Sequence, residues 1–295
     1  MQVGTIGGVQ LKVHPTFFVM LAFYWVLGLG PQALLVFALV IGHETAHVLV
    51  GKAHGIRVKG LEIFPMGGVA LCDDVFEGRK REEALMALAG PFFNAALLGT
   101  AEVLRRQGLW QGLWAADFIR YNFWLAVFNL LPVLPLDGGR VLRALLSGSF
   151  GFVKTTRFLA RAGQWLGGGL AVLALTIWAR SGLREGPLFF LFLAGFFWLA
   201  AGKEVATARL VFLRQLTHKK EDLVRKGLMP SRWLTVRREV PLVRVVEELT
   251  PDSYALVSLA GPEFDAAGTL TETEILEGMI REGIHYPVGK LYETR

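Results

Sequence analysis

His43-Glu44-Thr45-Ala46-His47 places two histidines four residues apart, with a glutamate directly after the first. On a helix, positions i and i+4 share a face, so both imidazoles can bind one zinc ion. Glu44 then lies beside them, placed to take a proton from water. The five residues sit within an apolar run from Ala33 to Val50, long enough to enter a bilayer. Ionisable groups inside such a run are rare and point to function. The pattern predicts metal-assisted hydrolysis at membrane depth.

Zinc in a hydrolase usually takes three protein ligands and leaves a fourth position for water. Cys72 is the single cysteine, which excludes an intramolecular disulfide framework and a Cys-based zinc site. Depth supplies a better third candidate. The run carrying the motif ends near Val50, so His43 lies about 10 Å from that end at a rise of 1.5 Å per residue. A later run ends on the same side as Asn129-Leu-Leu-Pro132-Val-Leu-Pro135-Leu136-Asp137-Gly138-Gly139-Arg140. Two prolines followed by two glycines should unwind the helix near Asp137. Irregular backbone at membrane depth is tolerated only where it is buried in protein or lines a wet cavity. Asp137 is therefore expected to complete the ligand set with His43 and His47.

Asn94 and Asn129 are neutral donors that could help hold an oxyanion or position substrate. Two plainer roles stand beside that one. Asn94 could bridge packed spans by a hydrogen bond, and Asn129 could tie down carbonyls freed by the prolines. Gly90 and Gly99 read as sites of close helix packing.

These groups need a scaffold, and the composition says which kind. The 295 residues are 53% hydrophobic and only 19% charged, with mean hydropathy +0.44. A water-soluble chain carries about a quarter charged residues and no repeated long apolar runs. The expected fold class is an α-helical polytopic membrane protein with about six transmembrane helices, a small membrane-associated β-hairpin or sheet, and a small C-terminal α+β domain. The spans are expected at about Pro15–Leu29, Ala33–Val50, Ala84–Leu104, Ile119–Leu134, Phe158–Ala179 and Leu188–Ala206. The first and fourth fall short of the roughly 20 apolar residues a full crossing needs. Gly55–Asp74 is too polar and glycine-rich to cross and reads as the hairpin, to which Thr5–Val13 could add a strand.

The net charge of +6 resides mostly in short segments between apolar runs, a topology signal rather than a nucleic-acid surface. Lys52, Arg79, Lys80, Arg81, Arg140 and Arg143, among others, share one side, whereas Arg105, Arg106, Arg180 and Arg184 face the other. The positive-inside rule then puts both termini in the cytoplasm. No charged segment leads into the first apolar stretch, so no cleavable signal peptide is expected. The chain divides into a six-span domain over 1–206, a basic amphipathic helical linker over 207–228 and a soluble tail over 229–295.

His43-Glu-x-x-His47 followed by Asn129-x-x-Pro132-x-x-Pro135-Leu136-Asp137-Gly138 resembles the site-2 protease family of intramembrane zinc metalloproteases. The bacterial sporulation-type branch is the nearest in pattern, and the resemblance runs over about residues 10–205. His14-Pro15, Gly67-Gly68 and Ala89-Gly90-Pro91-x-x-Asn94 support it. It implies a hydrolase of the bacterial cytoplasmic membrane that uses one Zn²⁺ to cut a peptide bond in or near the transmembrane segment of a protein substrate within the lipid bilayer. It also implies that Gly67 and Gly68 form a substrate-binding loop offering an edge to an extended peptide; an ordinary surface turn is the alternative.

The tail resembles one cystathionine-β-synthase-type repeat, reading strand-helix-strand-strand-helix. That resemblance implies ATP or another adenine nucleotide as ligand, with Thr271 and Glu274 as binding residues, and a homodimer that supplies the second repeat. Thr271-x-x-Glu274 is also a capping box for the last helix. Two further functions compete with proteolysis: a catalytically silent zinc-binding receptor or scaffold, and a transporter with a nucleotide-sensing tail.

Overall fold

The computed structural model describes every residue except 1, 7–8, 57, 65–66, 73–79, 182–186, 251–252, 262–265 and 295. The chain forms two compact units, Met1–Leu145 with Leu159–Gly202, and Leu146–Phe158 with Lys203–Arg295.

The first unit opens with strands β1 (Gln2–Ile6) and β2 (Val9–Val13), followed by helices α1 (Pro15–Val26) and α2 (Gly30–Ala53). Strands β3 (Val58–Phe64) and β4 (Gly67–Cys72) precede α3 (Lys80–Arg106), α4 (Leu113–Asn129) and α5 (Asp137–Phe150). The expected hairpin forms, and the amino-terminal strands extend it into a four-stranded sheet of order β1-β2-β3-β4. Strand β2 runs parallel to β3, while the two outer pairs are antiparallel. Val13, Ile56 and Val58 pack with Phe17, Phe37 and Val48, seating the sheet against α1 and α2.

Helix α1 starts where His14 accepts a hydrogen bond from the Thr16 N–H and Pro15 occupies the first turn, which needs no donor. Among the described residues, four helical stretches are long and apolar enough to cross a membrane: Gly30–Ala53, Lys80–Arg106, Phe152–Arg180 and Pro187–Ala208. The other two expected spans are shorter helices. Helix α1 has 12 residues and α4 has 17. At 1.5 Å per residue these reach about 18 and 26 Å, less than the roughly 30 Å hydrocarbon core. Helix α4 stops at Asn129 because Pro132 and Pro135 cannot donate to a continuing ladder.

Helix α6 (Phe152–Ser181) and the 40-residue α7 (Pro187–Lys226) follow. Helix α7 runs from the last apolar stretch into the basic segment expected as a helical linker, ending at Lys226. The second unit contains β5 (Ser231–Arg237), α8 (Leu242–Glu247), β6 (Tyr254–Ala260), β7 (Ala266–Thr271), α9 (Glu272–Glu282) and α10 (Val288–Glu293). Its sheet has order β5-β6-β7, with β5 parallel and β7 antiparallel to β6. Ala255, Val257 and Leu259 alternate inward along β6 to meet Leu242, Val245 and Ile275, and Val153 joins this core. The six-residue α10 was not anticipated, being too short to carry a periodic signal.

Candidate metal centre

Helix α2 is apolar around nearly its whole circumference except at the motif. His43 and His47 are one turn apart and buried, 4% and 5% exposed, with ring centroids 4.7 Å apart. Asp137 is the first residue of α5. Its Oδ2 lies 3.1 Å from His43 Nε2 and 3.2 Å from His47 Nε2. The spatial meeting expected from depth is thus present across 94 residues of sequence. Glu44 lies within electrostatic reach of both histidines, Asp137 and Arg140.

The backbone that delivers Asp137 packs against α6 and against the first turn of α5. Leu134 is fully buried and its N–H donates to the Leu159 carbonyl at 3.2 Å. Gly163 leaves room for the Leu134 carbonyl, since a Cβ there would lie 2.0 Å from that oxygen. Gly138 and Gly139 do not unwind the helix as the sequence pattern implied; both lie in the first turn of α5. The irregular backbone is Leu130–Leu136, just before it. The glycines serve close approach, because a Cβ on Gly138 would lie 2.2 Å from the Leu130 carbonyl oxygen and one on Gly139 2.4 Å from the Val133 carbonyl.

Each imidazole is fixed by its other nitrogen. His43 Nδ1 donates to Asn94 Oδ1 at 2.5 Å, and His47 Nδ1 donates to the Met86 carbonyl at 2.6 Å. Asn94 passes its own amide N–H to Asn122 Oδ1 at 2.9 Å, and Asn122 donates to the Phe118 carbonyl at 2.9 Å. Both asparagines are fully buried. A neutral histidine has one N–H, so these bonds leave a bare lone pair on each Nε2.

Two imidazole nitrogens and a carboxylate oxygen therefore converge in a buried space, an arrangement suited to holding a cation. The separations agree with zinc. Bonds of about 2.0–2.1 Å in a tetrahedron set ligand atoms about 3.3–3.4 Å apart, close to the observed 3.1 and 3.2 Å. Among the described residues, His43, His47 and Asp137 form the one group of three or more such side chains able to hold a metal ion. Gly90 of α3 keeps the space open: a Cβ there would lie 2.4 Å from both Nε2 atoms. The residues fit Zn²⁺.

The remaining sequence candidates lie as follows. Asn94 is engaged with His43 and Asn122 through both ends of its amide. Asn129 donates to the Leu125 carbonyl one turn back, at 2.9 Å. Gly67 and Gly68 lie in β4, paired with Phe64 and Ile63, rather than in the turn; residues 65–66 at that turn lie outside the described residues. Strand β4 is, with β1, one of the two edge strands of its sheet among the described residues, and it packs against α2. Thr271 and Glu274 bind one another: the Glu274 carboxylate accepts from the Thr271 N–H and hydroxyl at 2.8 Å, and Thr271 Oγ1 accepts from the Glu274 N–H at 3.3 Å. Asn122 and the ligand-side role of Gly90 escaped the sequence reading. The signal for Asn122 was its amide within an apolar helix.

The family model for peptidase family M50 matches residues 31–104 and 100–170. A zinc metalloprotease of Methanocaldococcus jannaschii is 30% identical over 174 residues, covering 55% of this chain and 50% of that protein. Stage IV sporulation protein FB of Bacillus subtilis is 28% identical over 148 residues, covering 50% and 51%. The chain thus spans about half the length of these curated relatives. The solved site-2 protease from M. jannaschii superposes with a TM-score of 0.55 at 26% identity, over 70% of this chain and 94% of that one.

Proposed function

We propose that the chain, whose residues 31–170 match the model of peptidase family M50, is an integral-membrane zinc endopeptidase cutting a peptide bond in or near the transmembrane segment of a protein substrate. The observation that carries this reading is the convergence of His43, His47 and Asp137 on one buried point, with Glu44 beside it. A zinc ion held there supplies Lewis acidity, which polarises a carbonyl and acidifies water. Glu44 accepts the proton of the attacking water and later hands it to the leaving amine. Asn94 and the Met86 carbonyl hold the imidazoles in the tautomer that leaves Nε2 for the metal.

A peptide wrapped in a helix hides its carbonyls, so the substrate must be extended locally before it can be cut. The outer edge of β4 is suited to receive an extended segment by strand addition, replacing main-chain hydrogen bonds lost on unwinding. We place both termini in the cytoplasm on the strength of the basic residues. A reporter fused after Arg295 tests that orientation. Adenine nucleotide binding and dimerisation through the tail rest on the resemblance to a cystathionine-β-synthase-type repeat, and Thr271 and Glu274 already serve as a helix cap. Calorimetry of the full chain with ATP tests the nucleotide.

Purified wild type and Glu44→Gln should both contain about one zinc per chain, and only wild type should cut a single-pass membrane substrate. Zinc without cleavage in wild type favours the silent receptor; absence of zinc removes the metalloprotease reading.

A further inference from the structure

Glu83 of α3 and Arg143 of α5 form an ion pair that the proposed chemistry does not use. Arg143 Nη2 and Nε donate to Glu83 Oε1 at 2.8 and 3.0 Å, across 60 residues of sequence. Both residues are buried, 5% exposed for Glu83 and 9% for Arg143. Burying two charges costs desolvation that their attraction barely offsets, and an apolar pair of similar volume often serves stability as well or better. Fixing one arrangement among several is the better-attested use of such a pair.

The pair's location says what it would fix. Helix α3 is the reference to which the histidines are tied, because Met86 accepts from His47 and Asn94 accepts from His43. Glu83 precedes Met86 by one turn on that helix. Asp137 begins α5 directly after the irregular segment Leu130–Leu136, so its depth and azimuth depend on how α5 is seated. Arg143 follows Asp137 by six residues, about 9 Å along the axis and about 120° around it. A contact so displaced in both senses limits sliding and rotation of α5 together.

We propose that the Glu83–Arg143 ion pair is the clamp that seats α5 on α3 and so positions the Asp137 carboxylate against His43 and His47. Both are positioning residues acting through Asp137, and the inference rests on the zinc reading above. The guanidinium supplies two N–H groups from different nitrogens to one oxygen, which a single ammonium cannot reproduce.

The test uses the full chain in detergent micelles with the metal alone as probe. Zinc affinity is read by competition with a fluorescent chelator, coordination by the visible absorption of bound Co²⁺, and stability by melting of the metal-free protein. The double variant E83M/R143M removes both charges of the pair together. It should melt at or above wild type, bind zinc about 10–100-fold more weakly, and lose the intense Co²⁺ absorption of a tetrahedral site. Arg143→Lys should fall between the two. Wild-type zinc affinity in E83M/R143M overturns the proposal, as does a zinc loss that merely tracks an equal loss of metal-free stability. Failure of wild type itself to bind zinc would instead refute the ligand set.

Discussion

Replacing Gly90 by alanine would put a methyl carbon 2.4 Å from Nε2 of His43 and 2.4 Å from Nε2 of His47. Contact between such atoms is comfortable at about 3.5 Å, so each ring would be overlapped by about 1 Å. A zinc ion sits about 2.0–2.1 Å from its imidazole nitrogens, so a methyl 2.4 Å from both would crowd the space in which an ion has to bind. Neither ring retreats freely, because Asn94 and the Met86 carbonyl hold their Nδ1 atoms. Giving up one such outer contact weakens metal binding by about 10–100-fold, and direct exclusion of the ion adds to it. We expect a loss of at least about 100-fold, or about 2.8 kcal/mol. Helix propensity runs the other way: alanine favours a helix interior over glycine by about 0.8–1.0 kcal/mol. Gly99, on the same helix, does not pack closely as its sequence context suggested: it has nothing within 4 Å of its added Cβ and supplies the control. Chelator competition should show Gly90→Ala folded and zinc-poor, with Gly99→Ala binding zinc like wild type. A Gly90→Ala protein that holds zinc with wild-type affinity would refute both the position of the ion and the reason given for this glycine.

Other outcomes follow from the same geometry. Glu44→Gln should retain zinc and lose about 10²–10⁴-fold in turnover, as expected for a missing general base, and full activity would remove that role. Asn94→Ala frees the His43 ring and strands the Asn122 carbonyl; zinc affinity should fall about 10–100-fold, and an unchanged value would show that the bond does not orient the ligand. Gly138→Ala drives a methyl into the Leu130 carbonyl and should destabilise the protein by about 1–3 kcal/mol, read as a lower melting temperature. Thr271→Ala removes the capping box at the start of α9 and should lower stability of the tail by about 1 kcal/mol, and an unaltered unfolding curve would deny the cap its importance.

Local chemistry was legible before any coordinates. The spacing of His43 and His47 dictates that a helix shows both to one side, because 3.6 residues per turn brings position i+4 back over position i. Apolar run lengths located the four long helices, Pro132 and Pro135 marked the interruption after Asn129, and Thr271 with Glu274 marked the start of α9. Each of these depends on interactions within a few residues, which is the range over which sequence carries geometry directly. The double glycine misled for the same reason. Gly138 and Gly139 look like helix breakers in isolation, whereas their lack of a side chain admits the carbonyls of Leu130 and Val133.

Packing decided the rest. Asp137 lies 94 residues beyond His43, Asn94 51 beyond it, and Arg143 60 beyond Glu83. Nothing in the covalent chain sets those distances; they follow from the packing of α2 on α3 and from where α5 is placed beside them. Sequence by itself determined that this chain carries two metal-binding imidazoles and a neighbouring base on an apolar helix. Tertiary structure alone decided that a distant carboxylate meets them at 3.1 and 3.2 Å and that Gly90 leaves space between the two imidazoles. The physical reason is that a ligand cage requires positions fixed to a few tenths of an ångström, and only close-packed helices hold side chains from separate segments that firmly.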